Sequence, residues 1–176
     1  GIVPAGKLTL AAKTGVYITD DMTGKANGKA LVINADSDAT GSSGTLTVAS
    51  TKTVTSNKSD VTITAWDVDM AGYLTAGTMT ISVHGSKVSQ TIGLGDASGH
   101  LHLTEVELQR VSCLNGMVLT SLLSNTISVA NVGPLGASNI RIILTLLAND
   151  DDASIGFNTV SSTFRSIAAQ ADNAVA

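Results

Sequence analysis

Two histidines lie two residues apart in GHLHLTE, where a strand would place both side chains on one face. Metal sites use this His-x-His spacing, and Glu105 or Glu107 could supply a third ligand. The exposed polar face of an ordinary strand shows the same pattern, because two ligand-type residues without a convergent third are common by chance. We therefore expect His100 and His102 to lie on an exposed strand, and we retain them only as candidate metal ligands.

Carboxylates also cluster at two predicted turns, with Asp36 and Asp38 in NADSDATG and residues 150–152 in NDDDAS. Oxygen ligands at turns can hold calcium. However, the chain lacks the EF-hand loop and the glycine-rich nonapeptide of calcium-binding β-rolls. Because Asp is a preferred turn residue, the sequence predicts solvated turns and no cofactor, with calcium binding as the alternative.

Asp67 and Asp69 alternate in WDVDM and would share a strand face. Paired carboxylates can perform acid/base or metal-assisted work on saccharides. No Arg or Lys stands beside them in the sequence, and the chain has one Trp, two Tyr and two Phe to stack on sugar rings. The motifs G-x-S-x-G, P-loop and HExxH are also missing. We therefore predict that the protein is not an enzyme.

Two further single residues carry chemistry of their own. Cys113 is the only cysteine, so an internal disulfide is excluded. No histidine lies close in sequence to activate it, so we predict that Cys113 is a small, buried, apolar side chain of the core. Asn57 begins the sequon NKS in a predicted exposed turn, which makes it a candidate glycosylation site in a secreted eukaryotic protein.

Composition excludes two classes of partner. The net charge is −4 and the ten Lys and Arg residues are spread along the chain, so no nucleic-acid partner is expected. No run of about 18 apolar residues occurs, so membrane insertion is not expected either. Because aromatic residues are scarce, Val, Ile, Leu and Ala must fill the core.

The elements that would position these residues are mostly strands. Apolar residues alternate with Thr, Ser or Asn over 7–12, 16–19, 30–35, 45–50, 60–65 and 78–83, with shorter strands over 53–56 and 66–70. Thr104 and Glu107 form a capping-box pattern before a short helical turn. A short terminal helix is predicted within 162–176, with Ser162 as its cap and Phe164, Ile167, Ala168 and Ala171 on one face.

One phrase, apolar–Thr–apolar, returns at 46–48, 61–63 and 79–81. Its recurrence in the same residue types favours a parallel β-helix in which successive coils stack. The spacing of the turns also fits an antiparallel β-sandwich, which remains the alternative fold. In the β-helix, an interior column would contain Leu8, Leu46, Val61 and Met79, and an outer threonine column would contain Thr9, Thr47, Thr62 and Thr80.

The threonines also form T-x-T pairs at 45/47, 62/64 and 78/80. A flat outward grid of such pairs would suit an ice-binding surface. The high β-propensity of Thr explains the same pattern without a ligand, so ice binding remains an alternative.

The segments GTLTVAS, SDVTITAWDVDMAGYLTAGTMTISV, LHLTEVELQRV and ILTLLANDDDASIGFNTVSSTFRSIAAQADNAV together resemble one repeat unit of the large β-strand-repeat surface proteins of algae and marine bacteria. These are similar to filamentous-haemagglutinin-type adhesins. The resemblance covers nearly the whole chain and implies a right-handed parallel β-helix at the cell surface or outside the cell. It implies adhesion or the building of surface layers and filaments, and it brings no catalytic residues.

Together these observations predict one all-β domain over residues 1–176, forming one unit of a longer array or filament. We expect an extracellular structural or adhesive protein that associates with itself. Val3 and Pro4 at one end, and Ala168 and Ala171 at the other, are the predicted assembly residues. The alternative is a monomeric module that binds a glycan, a cell surface or ice.

Overall fold

A computed structural model describes residues 1–120, 126–158 and 160–176. In chain order the strands are β1 (Leu8–Ala11), β2 (Gly15–Ile18), β3 (Met22–Thr23), β4 (Leu31–Asn34), β5 (Thr45–Val48), β6 (Thr53–Thr55), β7 (Val61–Ala65), β8 (Asp67–Met70), β9 (Tyr73–Gly77), β10 (Ile81–Gly85), β11 (Ile92–Gly95), β12 (Leu101–Leu103), β13 (Val111–Cys113), β14 (Met117–Thr120), β15 (Thr126–Ala130), β16 (Leu144–Ala148), β17 (Ser154–Phe157), β18 (Ile167–Ala171) and β19 (Ala174–Val175). One short helix, α1 (Glu105–Gln109), lies between β12 and β13.

The strands form four sheets, and every pairing between described strands is parallel. Sheet I has the order β1-β4-β7-β10-β14-β16-β18 and sheet II the order β2-β5-β8. Sheet III has the order β13-β9-β6-β3 and sheet IV the order β12-β11-β15-β17-β19. The all-β prediction is confirmed, and parallel pairing rules out the antiparallel sandwich.

The first nine strands visit sheets I, II and III in rotation, three times over. Each rotation lies beside the previous one with its inward residues aligned. In sheet I the aligned residues are Leu8, Leu31, Val61, Ile81, Met117, Leu144 and Ile167. The middle five are buried. Each buried aliphatic side chain stabilises the fold by about 1.5–3 kcal/mol, so these aligned columns form the core.

The predicted interior and outer columns are wrong, because they combine residues that belong to different sheets. Leu46 and Thr47 belong to sheet II, where Leu46 aligns with Val16 and Val68. The phrase apolar–Thr–apolar thus occurs in two different sheets, and its residues do not indicate to which sheet a given copy belongs. The predicted outer column of Thr9, Thr47, Thr62 and Thr80 is therefore not formed: Thr9 and Thr62 lie in sheet I, Thr47 lies in sheet II, and Thr80 precedes β10.

The third copy of the phrase lies partly outside a strand. Met79 and Thr80 precede β10, which begins at Ile81 because Ile81 and Val83 align with Val61 and Ile63. β9 ends at Gly77, whose φ is +59°, and residues 78–80 carry the chain around the corner. Only two of the three T-x-T pairs stand on strands, so the flat threonine grid is not formed.

The predicted terminal helix is also wrong, since the segment forms β18 and β19. Ile167 and Ala169 align with Leu144 and Leu146 of β16. A strand at this place satisfies the backbone groups along the edge of β16, which a helix would leave unpaired. The predicted capping box at α1 is confirmed: the Thr104 side chain accepts from the Glu107 N–H, and the Glu107 side chain accepts from the Thr104 N–H.

One departure from simple rotation lies in sheet IV. β12 follows β11 in the chain but lies at the edge of the sheet, and it packs beside β8 of sheet II. The connection folds tightly over β11. A Cβ at Gly93 would lie 2.1 Å from the Ala97 carbonyl oxygen, so glycine is required there. In the parts of the chain that are described, no helix is long and apolar enough to span a membrane.

Candidate functional site

The outer face of sheet II and the start of sheet IV enclose a polar depression of about 530 Å³, called here the polar concavity. It is lined by Tyr17, Thr45, Thr47, Asp67, Val68, Asp69, His102, Thr104 and Glu107. Hydroxyl, carboxylate and imidazole groups dominate this set. It brings together Asp67, Asp69 and His102, which were separate candidates in the sequence.

The strand register sets out these side chains in rows. Tyr17, Thr47 and Asp69 align across β2, β5 and β8, and Thr45 aligns with Asp67 in the next row. They all point outward because the alternate residues between them point into the core. Neighbouring strands lie about 4.8 Å apart, so Tyr17 and Asp69 stand about 10 Å apart along the sheet.

The concavity exists because sheets II and IV do not pair where they meet. The Asp67 Oδ1 atom accepts the His102 backbone N–H at 3.0 Å. At the end of β8, Glu107 Oε1 accepts the Met70 N–H at 3.0 Å, and an Arg110 guanidinium N–H donates to the Met70 carbonyl at 2.7 Å. Side chains therefore take the place of ladder hydrogen bonds at the junction between β8 and β12.

The two histidines have different surroundings. The His102 Nε2 donates to the Gly95 carbonyl at 2.8 Å, and this ring is half-buried. His100 is exposed; its Nδ1 accepts from the Thr91 N–H at 3.1 Å, and its ring lies against Trp66 with centroids 4.5 Å apart. Within the described ranges no group of three or more His, Cys, Asp or Glu residues is placed to hold a metal ion. Both rings thus make internal contacts.

The carboxylates at the two predicted turns differ strongly in burial. Asp38 is exposed and accepts the Thr40 N–H at 3.4 Å, as expected for a turn. Residues 151 and 152 are also exposed, in a turn closed by the Ala153 N–H donating to the Asp150 carbonyl at 2.9 Å. Asp36 is buried instead, so its predicted solvated position is wrong.

Asp36 is held by residues far away in sequence. Ser86 Oγ donates to Asp36 Oδ2 at 2.6 Å, and Lys87 Nζ lies 3.4 Å from the same oxygen. Lys87 also sits over the Trp66 ring at 4.3 Å and donates to the carbonyls of Thr40 and Gly41. No local pattern around Asp36 indicates this cluster, because Ser86 is fifty residues away.

Two other titratable groups, the buried Cys113 and the partly buried His84, show no chemical activation. Burial raises the pKa of the Cys113 thiol to about 11, so the thiol is protonated near neutral pH and the predicted buried role is confirmed. Burial lowers the pKa of His84, so its imidazole is neutral there too.

The sequon at Asn57 is less accessible than predicted. Asn57 is half-buried at a φ of +55°, and its side-chain amide donates to the Lys25 carbonyl at 3.2 Å. Ser59 of the same sequon is fully buried. The acceptor amide and the serine are both occupied by the fold, which disfavours glycosylation of the folded domain.

Of the predicted assembly residues, Ala168 and Ala171 lie on β18 at the end of sheet I, whereas Val3 and Pro4 follow Ile2, which bridges to Met22 of β3 in sheet III. Val3 is exposed, while Pro4 is half-buried and its carbonyl accepts the Lys25 N–H at 2.9 Å. Ala171 aligns with the buried Ala148, whereas Ala168 aligns with Thr145 on the outer face. The inward residues Ile167 and Ala169, which are only partly buried, were missed as end residues; the period-two alternation of 167, 169 and 171 could have indicated them.

At the other end, β1, β2 and β3 are the edge strands of sheets I, II and III. A depression of about 420 Å³ opens there onto the end of the core. Its apolar lining comes from Ile2, Leu10, Val16, Ile18 and Met22. Ile2 already covers the edge of β3 through its parallel bridge to Met22, so at this end the backbone edges beside the apolar side chains are those of β1 and β2.

Comparison with models of protein families, with curated proteins and with solved structures found no match to this chain.

Proposed function

We propose that the chain is a right-handed parallel β-helix unit of an extracellular structural or adhesive protein, and that copies associate end to end. Support for the β-helix comes from the rotation of β1–β9 through three sheets with aligned inward residues. Parallel crossover connections are right-handed in nearly all proteins. The extracellular location rests on the resemblance to β-strand-repeat surface proteins.

The observation that carries the association is the direction of the hydrogen bonds in sheet I. Leu8, at the start of the aligned column, donates its N–H to the next strand, at the carbonyl of Ala30. Every later member of the column does the same, up to Leu144, which donates to the Ser166 carbonyl. By this pattern the Ile167 N–H points to the open edge of β18.

A second copy can extend the same pattern. If its β1 lies beside β18, Ile167 aligns with Leu8 of that copy, and Ala169 aligns with Leu10. The Ile167 N–H then meets the carbonyl of Lys7, while the apolar side chains of both strands still point inward. Hydrogen-bond phase and side-chain phase agree at this junction, as they must for a parallel sheet to continue.

Such an interface joins different surfaces of the two copies, so it does not close on itself and yields filaments. Each copy would add the seven strands of sheet I, which at about 4.8 Å per strand gives a rise of about 34 Å. Negative-stain microscopy of concentrated protein should show rods with this repeat.

Ala169→Lys tests the junction, since it places a charge among the apolar end residues at an inward position that is only partly buried; circular dichroism checks that the variant is folded. We expect light scattering to show loss of the rods, because an unpaired charge in an apolar interface is strongly unfavourable. Gln170→Lys, on the exposed outer side of the same strand, should leave them intact. Monomers of the unaltered protein at high concentration would contradict the proposal.

A further inference from the structure

We propose that the polar concavity binds a neutral saccharide residue. This inference concerns the outer face of sheet II and does not depend on end-to-end association, although Tyr17 lies on the edge strand β2 and also lines the depression at that end of the core. Four features carry it: an exposed aromatic ring, a floor of small hydroxyl side chains, two carboxylates with unused oxygens, and a spacing that matches one sugar ring.

The aromatic wall is Tyr17, whose side chain is 72% exposed on the outer face of β2. An aromatic residue on an open strand face offers a large apolar surface with a polar hydroxyl at its tip. The apolar C–H face of a pyranose ring can pack against it. Thr45 and Thr47 form the floor between Tyr17 and the carboxylates, and their short side chains leave that space open.

The opposite wall supplies hydrogen-bond acceptors. Asp67 uses Oδ1 for the His102 backbone N–H, and within the described residues no partner is found for its second oxygen. Asp69 is exposed, and its carboxylate makes no hydrogen bond within the same residues. Glu107 differs, because both of its oxygens accept protein hydrogen bonds. Asp67 and Asp69 are therefore the acceptors that remain for a ligand.

Acceptors of this kind select for a ligand rich in hydroxyl groups. Two adjacent negative charges disfavour anionic sugars through like-charge repulsion. A divalent cation would need more ligands than this pair, and in the described parts of the chain no third His, Cys, Asp or Glu completes such a site. The gap of about 10 Å between Tyr17 and Asp69 accommodates one sugar ring.

The test is an amide chemical-shift titration of the isotope-labelled protein with neutral hexasaccharides: maltohexaose, cellohexaose, xylohexaose and mannohexaose. We expect at least one to shift the amides of Tyr17, Thr47 and Asp69 in a saturable manner. Tyr17→Ala should weaken binding about tenfold, through loss of the stacking surface. Tyr73→Ala, which removes an exposed tyrosine of sheet III outside the concavity, is the matched control and should have no effect.

Asp69→Asn provides a second variant, because Tyr17 also lines the depression at the end of the core whereas Asp69 does not. It should weaken saccharide binding several-fold while the rods of the end-to-end assembly still form. Oligogalacturonate should bind more weakly than the neutral probes. The proposal is overturned if no neutral hexasaccharide shifts these amides, or if only calcium chloride does.

Discussion

At the scale of single residues, Asp36 stands out because its carboxylate is buried and needs a compensating cation. Its side chain is fully buried, and that of Lys87 is only 11% exposed. One carboxylate oxygen contacts Ser86 and Lys87, whereas no hydrogen-bond partner for Oδ1 is found among the described residues. Because a buried charge is tolerated only when it is paired, the contact with Lys87 compensates the burial of the Asp36 carboxylate.

Lys87→Met should therefore destabilise the protein by about 3 kcal/mol in urea unfolding, because it leaves an unpaired buried carboxylate. Methionine keeps a chain of similar length and removes the ammonium group, which contacts Asp36, the Trp66 ring and the carbonyls of Thr40 and Gly41. Adding Asp36→Asn to this variant should recover part of the stability.

Lys13→Met, at an exposed position, is the control for removing a positive charge. An equal effect of the two single substitutions would show that the Asp36–Lys87 pair contributes nothing specific.

At the scale of elements, α1 shows how side chains of a short helix can bond to the end of a neighbouring sheet. Glu107 completes the capping box with Thr104 through Oε2 and accepts the Met70 N–H of β8 through Oε1. One side chain thus caps the N-terminus of the helix and accepts the hydrogen bond of a backbone N–H at the end of β8. The sequence pattern predicts the capping box, but it does not predict the contact with Met70, which lies 37 residues away.

This double role predicts that Glu107→Ala is more damaging than Thr104→Ala. Loss of the cap alone should lower the free energy of unfolding by about 1 kcal/mol. Loss of Glu107 also leaves the Met70 N–H without its acceptor, which adds about 1–3 kcal/mol. Hydrogen exchange should show faster exchange of the Met70 amide only in Glu107→Ala. Equal exchange in the two variants would contradict the assigned role.

At the scale of the whole molecule, aligned aliphatic columns run from one end of sheet I to the other. Ile63 lies in the middle and is buried, whereas Ile167 lies at the end and is only partly buried. In a stack of strands each layer contacts only its neighbours. The contribution of an inward side chain should therefore depend on its position along the stack.

Ile63→Ala should lower the free energy of unfolding by about 3 kcal/mol, because it opens a cavity between two packed layers. Ile167→Ala should lower it by about 1 kcal/mol in dilute protein, where one side of the residue is already exposed. The loss at Ile167 should increase with protein concentration if copies cover this end. Urea unfolding at two protein concentrations measures both effects, and equal losses in dilute protein would contradict the positional gradient.

The sequence by itself determined many of the strands but not β18 and β19, because alternation of apolar and polar residues identifies a strand from nearby residues alone only where the alternation is regular. β1, β5 and β7 lie where LTLA, TLTV and VTITA predict them, and the capping box at Thr104 is as local. Only the tertiary structure decided which strand lies beside which. That choice moved Thr47 to sheet II, buried Asp36 against Ser86, and gathered Tyr17, Asp69 and His102 into one concavity. The physical reason is that each of these groupings joins residues more than about 20 positions apart, and the energy of bringing them together has no signature within a short stretch of chain.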